Sequence, residues 1–441
     1  MMRPISAPKA LRNDLTLSLQ RGRARTKTLI AALNEDQLHE QPIDFLSPLV
    51  WDVGHVACFE DLWLVRRLTG RPSRDPQRDN LYDAFEHPRW TRGELALMPA
   101  SEAMQHLDEV RADTLAVLQN LHFEPDAPLI ANGAVHRMIA QHELQHLETM
   151  LQSLACRTGG YEPPQARVLT SARRVDDCDR VFVAGGTFLL GTNDTSCTFD
   201  NERPQHVVEL APFQIDRFPV TTRRFAAFID NGGYHRAELW SERGWHWLQE
   251  SGHKAPQGWV QDRYGDWQRL RFGRAEPLDP RVPVEHISFF EAEAFANFAG
   301  GRLPSETEWE MAASWDATSQ TKRRYPWGET APTSAHANLN GRHFGPQPVG
   351  SYPKGASAYG VEQLVGDVYE WTSSGFEPYP GFDAFPYPEY SEVFFGGDYR
   401  VLKGSSWAIG SELARTTYRN WDHPYRRQIF AGVRLAYDIH H

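Results

Sequence analysis

The chain has 441 residues, of which 41% are hydrophobic and 23% charged, and these values are typical of a soluble globular protein with two or three domains. A formal net charge of -11 argues against nucleic acid or an anionic membrane surface as a partner, and no apolar run approaches the about 20 residues that a membrane span needs. Four cysteines without paired spacing and an N-terminus without the apolar core of a signal peptide predict a cytoplasmic protein.

Residues 8–160 repeat apolar side chains at the spacing that is typical of helices. Four segments carry this pattern: 11–33, 48–62, 103–121 and 134–156. Ser47 can cap the second of these helices, and Pro48 can occupy its first turn. We therefore predict a four-helix bundle over residues 1–165.

The pattern changes after the bundle. Residues 166–179 lose the helical periodicity and predict a linker. From residue 180 onward, short β-like segments alternate with turns rich in Gly, Pro and Asn, and amphipathic helices interrupt them. The strand segments are 181–183, 188–190 and 206–210, and the helical segments are 221–231, 289–299 and 305–314. The sequence thus predicts a second domain of the α+β class over residues 180–441.

Three histidines lie on inward-facing helical stripes. His142 and His146 are one turn apart on a stripe that also carries Met138 and Met150, and His55 lies on the apolar stripe of the second helix. Two inward histidines alone would more often be packed core residues than ligands. Three imidazoles from two helices, however, suit iron, zinc, copper or nickel and leave coordination positions open. We therefore predict a metal site formed by the three histidines.

The same segment also matches the HExxH-type zinc metalloprotease pattern, with Glu143 as the general base. Such a protease needs a third ligand downstream of the motif, whereas the third histidine here is upstream and in a bundle. A non-catalytic lectin-like binding protein is a second alternative. It accounts for the second half of the chain but leaves the three inward histidines without a role.

Motifs in both halves resemble one enzyme family. In the first half they occupy 47–55, 81–92 and 142–151, and in the second half 185–188, 200–204, 302–310, 325–328, 366–372 and 419–427. Together they resemble the ergothioneine-biosynthesis sulfoxide synthases and their sister branch, the selenoneine synthases. The resemblance implies a DinB-like four-helix bundle joined to a formylglycine-generating-enzyme-like domain of the C-type-lectin-like kind. Formylglycine generation itself is excluded, because that chemistry needs cysteines in the second domain and none follows Cys197.

The resemblance implies a nonheme iron(II) enzyme that uses O2 to join sulfur or selenium to the imidazole C2 of hercynine, which is N-trimethylhistidine. The sulfur donor would be γ-glutamylcysteine or cysteine, and the selenium donor a selenosugar. By the same resemblance, His55, His142 and His146 hold the iron. Tyr387 matches the tyrosine that supplies a proton or hydrogen atom during oxygen activation, and Tyr390 is its companion in the same substrate-binding loop.

The resemblance also implies two groups of substrate-binding residues. One group grips the carboxylates and the amine of the donor: Arg89, Arg92, Asp422 and Arg426. The other group surrounds hercynine: Gln145, Asn420 and Trp421. These roles agree with side-chain chemistry, because arginine captures carboxylates in a bidentate geometry and an indole face attracts a quaternary ammonium by about 0.5–2 kcal/mol.

Overall fold

A computed structural model describes residues 7–163 and 172–439, and the chain divides into two compact units. Unit 1 comprises Met1–Pro164 and Asp194–Cys197, and unit 2 comprises Gln165–Asn193 and Thr198–His441. Residues 166–171 of the predicted linker lie outside the described residues. The remainder, 172–179, contains no helix or strand. The domain boundaries at 165 and 180 stay predictions.

Unit 1 is helical. Its helices are α1 (Ala7–Ile30), α2 (Glu35–His39), α3 (Leu49–Glu60), α4 (Arg67–Thr69), α5 (Pro76–Leu81), α6 (Ala100–Asn120) and α7 (Ala134–Cys156). A π-helical turn at Asp61–Arg66 joins α3 to α4, and a 3-10 turn spans Arg89–Glu94. The four long helices α1, α3, α6 and α7 pack against one another, so the predicted four-helix bundle is confirmed. Within the described ranges, no helix is long and apolar enough to cross a membrane.

A buried cluster of four charged side chains joins the long helices, which contribute one residue each. Arg23 of α1 donates to Glu60 of α3 at 2.8 Å and to Glu143 of α7 at 2.9 Å. Arg111 of α6 donates to the same two carboxylates, each at 2.7 Å. Two guanidinium groups and two carboxylates alternate, so each buried charge is compensated and hydrogen-bonded. The cluster therefore fixes the register of the four helices.

Replacing Glu143 by glutamine is expected to lower the free energy of unfolding by about 3–5 kcal/mol, because it leaves buried guanidinium charge uncompensated. Urea titration followed by circular dichroism measures the change. The matched control is Asp108→Asn, which removes an exposed ion pair between Asp108 and Lys27, whose side chains are 52% and 44% exposed. This control should change the free energy by less than about 1 kcal/mol. Equal losses in both variants would contradict the role of the cluster.

Unit 2 mixes short strands with helices. Its strands are β1 (Arg180–Val183), β2 (Gly186–Leu190), β3 (His206–Leu210), β4 (Phe213–Asp216), β5 (Trp259–Gln261), β6 (Trp267–Arg271), β7 (Arg274–Pro277), β8 (Trp315–Asp316), β9 (Thr321–Lys322), β10 (Tyr369–Gly375), β11 (Arg400–Gly404), β12 (Asn420–Asp422), β13 (Ala431–Gly432) and β14 (Ala436–Asp438). Its helices are α8 (Thr222–Asp230), α9 (Glu242–Ser251), α10 (Phe289–Phe298) and α11 (Glu306–Ser314). The predicted α+β class is confirmed.

The sheets of unit 2 are small. A three-stranded sheet has the order β1-β4-β14, and a four-stranded sheet has the order β12-β11-β10-β13. The first contributes Val183, Phe213 and Ile215 to the hydrophobic core, against which α11 packs Trp309. In the second, β12 pairs antiparallel with β11. Since β12 is the strand Asn420–Asp422, this pairing fixes the backbone of three predicted substrate-binding residues.

Candidate metal centre

The structure brings the three predicted metal ligands together inside unit 1. One ligand nitrogen from each of His55, His142 and His146 lies within 4.8 Å of the other two. The Nε2 atoms of His55 and His142 are 3.2 Å apart, and the ring of His146 is 4.7 Å and 4.5 Å from the other two ring centroids. His55 is buried and the other two rings are half-buried. Three imidazoles thus converge on one point.

Two hydrogen bonds orient the imidazoles. His55 Nδ1 lies 2.7 Å from the carbonyl oxygen of Tyr82, and His146 Nδ1 lies 2.9 Å from Asp52 Oδ1. A carbonyl and a carboxylate oxygen accept hydrogen bonds, so each Nδ1 carries the proton and donates it. The Nε2 atom of each ring then keeps its lone pair, which is the arrangement in which histidine binds a metal.

Burial favours the neutral form of two of the converging rings, His55 and His142. It lowers the pKa of both His55 and His142 well below the ordinary histidine value, and repulsion from the neighbouring His146 lowers them further. A protonated imidazole cannot bind a metal, whereas a neutral one can. His55 and His142 therefore present nitrogen lone pairs at neutral pH without first having to lose protons.

The sequence of α3 makes room for one of these hydrogen bonds. A Cβ atom on Gly54 would lie only 2.4 Å from the Tyr82 ring, so no larger residue fits there. The glycine lets the aromatic ring pack directly on the helix, and this contact places the Tyr82 carbonyl beside His55 one residue along. The close packing of Tyr82 on Gly54 therefore orients the imidazole of His55.

Aromatic faces cover two of the ligands. The ring of Trp51 stacks on His55 with 4.9 Å between centroids and an interplanar angle of 11°. The ring of Phe59 stacks on His142 at 4.2 Å and 29°. Both aromatic residues lie one turn from His55 on α3, as the predicted inward stripe requires. They surround the imidazoles with apolar surface, which favours the neutral form.

Two groups that orient the ligands were not among the predicted site residues: the Asp52 carboxylate and the Tyr82 carbonyl. Asp52 is fully buried and three residues before His55, so it shares a face of α3 with that ligand. An acidic residue on an apolar face at this spacing is a signal that sequence reasoning can use. The backbone carbonyl of Tyr82 leaves no such signal.

The donor set fits a divalent transition metal. It consists of three neutral nitrogen atoms from two helices, and imidazole suits iron, zinc, copper and nickel. Three protein ligands leave positions for further ligands, as catalytic rather than structural sites do. The residues present therefore fit Fe(II) but do not by themselves distinguish it from the other metals.

Arg92 is held by the surrounding chain. It is buried, and it donates from Nε to the carbonyl of His87 at 2.9 Å and from Nη1 to Ser47 Oγ at 2.8 Å. Its guanidinium also lies 3.4 Å from the centre of the Trp51 ring, whose indole stacks on a metal ligand. The contacts fix Arg92 close to the histidine site, while its predicted role in gripping a carboxylate stays a prediction.

Arg89 and Gln145, the other predicted substrate-binding residues of unit 1, are half-buried. Arg89 donates to the carbonyl of Phe45 at 3.3 Å from the start of the 3-10 turn. Gln145 precedes His146 on α7, so its side chain leaves the helix at the level of the metal ligands. The structure places both residues near the histidine site without showing what they bind.

An aromatic chain connects the predicted residues of unit 2. The ring of Tyr387 meets Tyr390 edge to face at 6.2 Å, and Tyr390 meets Trp421 edge to face at 6.0 Å. All three side chains are half-buried. The predicted proton donor is therefore two ring contacts away from the predicted ammonium-binding indole.

The remaining predicted residues of unit 2 flank the indole. Asn420 and Asp422 lie on either side of Trp421 in β12, opposite Leu402 and Arg400 of the neighbouring strand. Arg426 Nε lies 3.6 Å from Asp422 Oδ1, so the predicted donor-binding carboxylate and guanidinium form an ion pair. Unit 2 thus gathers all six of its predicted site residues in one region.

Glu143 is not available as the general base of a protease. One of its carboxylate oxygens accepts from Arg23 Nε at 2.9 Å and from Thr26 Oγ1 at 3.0 Å, and the other accepts from Arg111 at 2.7 Å. The residue is 1% exposed. Although it follows His142 in the chain, its carboxylate is held in the charge cluster by these donors, so it has a structural role there.

Known proteins share both the length and the sequence of this chain. The hercynine oxygenase of Mycobacterium tuberculosis is 48% identical over 432 residues, a match that covers 97% of this chain and 99% of that protein. The chain belongs to the hercynine oxygenase family. A second hercynine oxygenase, from Mycolicibacterium smegmatis, is 46% identical over 435 residues, which cover 96% of this chain and 99% of that protein.

Membership of the hercynine oxygenase family agrees with the two domain matches. Residues 18–150 match the DinB superfamily, and residues 165–439 match the sulfatase-modifying factor enzyme 1-like domain. The solved structure of PvdO from Pseudomonas aeruginosa aligns with 62% of this chain and 100% of its own, at 23% identity and a TM-score of 0.42. The predicted fold class is confirmed by the domain matches. As a member of the hercynine oxygenase family, the chain is an oxidoreductase, which displaces the protease and binding-protein alternatives.

Proposed function

We propose that the chain is a nonheme iron(II) enzyme that uses O2 to form a C–S or C–Se bond at the imidazole C2 of hercynine. The observation that carries this proposal is the convergence of three histidines, two of which donate from Nδ1 and so keep their Nε2 lone pairs. Family membership supplies the substrate, because the relatives are named for hercynine oxygenation.

The proposed reaction balances with a thiol donor. Hercynine loses the C2 hydrogen, the thiol loses its S–H hydrogen, and a C–S bond forms between them. One oxygen atom of O2 is added to the sulfur as a sulfoxide, and the other leaves as water with the two hydrogens. Four electrons pass to O2, two from forming the C–S bond and two from oxidising the sulfur. A selenol can replace the thiol in the same balance.

Iron(II) bound to the three histidines would supply O2 activation and a coordination position for the donor's thiolate or selenolate. The chain itself supplies orientation. Asp52 and the Tyr82 carbonyl hold the rings of His146 and His55, and the stacked Trp51 keeps the surroundings apolar. In this proposal Gln145 hydrogen-bonds the imidazole edge of hercynine, because an amide offers both a donor and an acceptor.

The residues of unit 2 are assigned to substrate binding and proton supply. Trp421 has one face covered by the Phe376 ring, which stacks on it at 4.1 Å and 10°, so the opposite face is the one we assign to the trimethylammonium group. Asp422 and Arg426 suit the amine and carboxylate of an amino-acid donor, and the O–H group of Tyr387 serves as the proton or hydrogen-atom donor.

A reconstitution assay tests the proposal. The purified chain is loaded with iron(II) without oxygen and mixed with hercynine and one donor at a time: γ-glutamylcysteine, cysteine or a selenosugar. Oxygen is then admitted, its consumption is followed, and mass spectrometry identifies the product. We expect oxygen uptake that requires hercynine and a hercynine-linked product with at least one donor. Oxygen uptake without such a product with any of the three donors would refute the proposal.

The same assay settles which donor the enzyme uses, since the three are offered separately. Protein loaded with zinc is the metal control and should consume no oxygen, because zinc(II) has no redox chemistry. Cytoplasmic location, which the cysteine usage indicates, stays a prediction that cell fractionation can test.

A further inference from the structure

Asp200 is a buried carboxylate that the proposed reaction does not use. It is 1% exposed and begins a 3-10 turn, Asp200–Glu202. Its Oδ1 accepts from Ser391 Oγ at 2.5 Å and from the amide of Asn201 at 2.8 Å, and its Oδ2 accepts from the amide of Phe385 at 3.3 Å. These three hydrogen bonds come from neutral donors, and the charge of Arg203 also acts on the carboxylate. Burying a carboxylate is costly, so its position calls for an explanation.

Two hydrogen-bond partners of Asp200, Phe385 and Ser391, flank the loop that carries the proposed proton donor, Tyr387. Phe385 lies two residues before Tyr387, and Ser391 lies one residue after Tyr390. One carboxylate therefore holds both ends of the segment 385–391. Within this segment the backbone forms one 3-10 turn, Pro388–Tyr390, which the amide of Ser391 closes by donating to the carbonyl of Pro388, and neither end of the segment lies in a strand or an α-helix.

The residues on either side of Asp200 also contact the segment 385–391. The ring of Phe199 stacks on Tyr390 at 4.5 Å and 20°, and Asn201 Nδ2 donates to Ser391 Oγ at 3.0 Å. The other side of the turn reaches the strand of the indole, because the Asn201 carbonyl accepts from Arg419 Nη1 at 2.8 Å. Arg419 directly precedes β12 in the chain. The turn therefore contacts both segments that carry predicted site residues of unit 2.

We infer that Asp200 is a positioning residue that fixes the Tyr387 loop, so that the phenol is held in the orientation the reaction needs. The inference rests on the proposed role of Tyr387. Its physical basis is that a carboxylate has acceptor sites for three donors at once, and that hydrogen bonds to a charged group are stronger than neutral ones. Misplacing a reacting group by about 1 Å can slow a reaction about 100-fold.

Asp200→Asn is the test variant, because it keeps the size of the side chain and replaces one acceptor oxygen by an NH2 donor. The new NH2 group would face either the Phe385 amide or the Ser391 hydroxyl. We expect backbone amides of 385–391 to exchange hydrogen about tenfold faster or more, while amides of the helical bundle keep their rates. We expect kcat to fall about 10- to 100-fold with hercynine KM unchanged.

A double variant separates positioning from general damage. If Asp200 acts through Tyr387, then Asp200→Asn lowers kcat strongly in the parent but has little further effect in a Tyr387→Phe background. An equal loss in both backgrounds, or unchanged exchange in the loop, would overturn the inference. Ser391→Ala removes one of the three hydrogen bonds to Asp200, together with the bond that Ser391 accepts from Asn201, and should shift both readouts in the same direction by less.

The chain offers a matched control in Asp367. It is fully buried and accepts hydrogen bonds from three neutral groups, Asn338 Nδ2, Gln363 Nε2 and the amide of Gln347, each at 2.8 Å. Asp367→Asn should lower the melting temperature to a similar extent as Asp200→Asn but leave exchange in 385–391 unchanged. A loop that opens equally in both variants would show a general loss of packing and would refute the role of Asp200.

The exchange measurement also separates this inference from the proposed function. If the parent makes no hercynine-linked product with any donor, the proposed function fails, yet hydrogen exchange still shows whether Asp200 holds the loop. If the parent is active and the Asp200 variants match it in both rate and exchange, the inference fails and the proposed function stands.

Discussion

Replacing His142 by alanine is expected to abolish stoichiometric iron binding and turnover. The variant removes one of three converging nitrogen ligands and leaves two, whereas catalytic metal sites of this kind use three protein ligands. Loss of an outer partner of a ligand typically costs about 10- to 100-fold in metal affinity, so loss of a ligand itself should exceed that range. Iron content after dialysis and competition with a chelator measure the affinity directly and do not depend on turnover.

The matched control for this variant is His136→Ala, on the same helix. His136 is 1% exposed, and neither of its ring nitrogens has a hydrogen-bond partner within residues 7–163 and 172–439. Burial lowers the pKa of His136 to about 4, so the control removes a neutral, buried imidazole of α7 that is not a proposed ligand. The folded fraction of His136→Ala should bind iron and turn over at the level of the parent. Iron loss in both variants would indicate damage to α7, and iron retention in His142→Ala would refute the three-histidine site.

The helices were predictable because local patterns decide them. The segment 134–156 was predicted from its apolar spacing, and α7 has the same bounds. The starts of α8 and α11 follow from Thr221 and Ser305, whose side chains accept hydrogen bonds from the first-turn amides of residues 224 and 308. The predicted inward stripes of His55 and of α7 also hold, since a 3.6-residue repeat fixes which side chains share a face.

The helix α9 (Glu242–Ser251) was not predicted. Its ten residues, Glu-Arg-Gly-Trp-His-Trp-Leu-Gln-Glu-Ser, bury Gly244 and Leu248, which gives too short a stripe for periodicity to indicate a helix. Ser241 caps it in the same way as the caps of the predicted helices. Its packing on the surrounding aromatic side chains, such as Trp247 against Phe290, is tertiary and not readable from spacing.

The strands of the four-stranded sheet were also not predicted, for a different reason. In β10, Tyr369 and Trp371 alternate with Glu370 and Thr372, yet all four side chains are buried, so the alternation does not separate a buried face from an exposed one. The buried carboxylate of Glu370 is compensated by Arg434, which pairs with it at 2.8 Å and lies 64 residues later in the chain, and by Trp309 Nε1, which donates to it at 2.6 Å. Asp200 is a similar case, since two of its three hydrogen-bond partners are 185 and 191 residues away. Contacts over such separations leave no local pattern.

Replacing Tyr387 by phenylalanine is expected to keep iron and hercynine binding but to lower formation of the hercynine-linked product about 100-fold or more. The change removes only the phenol O–H group, and a positioned proton donor contributes about 10²- to 10⁴-fold to a rate. The edge-to-face contact of ring 387 with Tyr390 needs no hydroxyl, so the loop should keep its packing. Mass spectrometry measures the linked product together with any oxidised donor, and iron content and hercynine affinity are measured separately.

Two further tyrosine variants show whether the effect belongs to position 387. Tyr390→Phe tests the neighbour, and a loss as large as that of Tyr387→Phe would show that both phenols serve the reaction. Tyr264→Phe is the control, because Tyr264 is 73% exposed and lies in a turn between β5 and β6, remote in sequence from every proposed site residue. If Tyr387→Phe forms product at the rate of the parent, the tyrosine only packs. The position that Asp200 imposes on its loop would then have no catalytic purpose, so this variant and the Asp200 double variant test a single assignment from two directions.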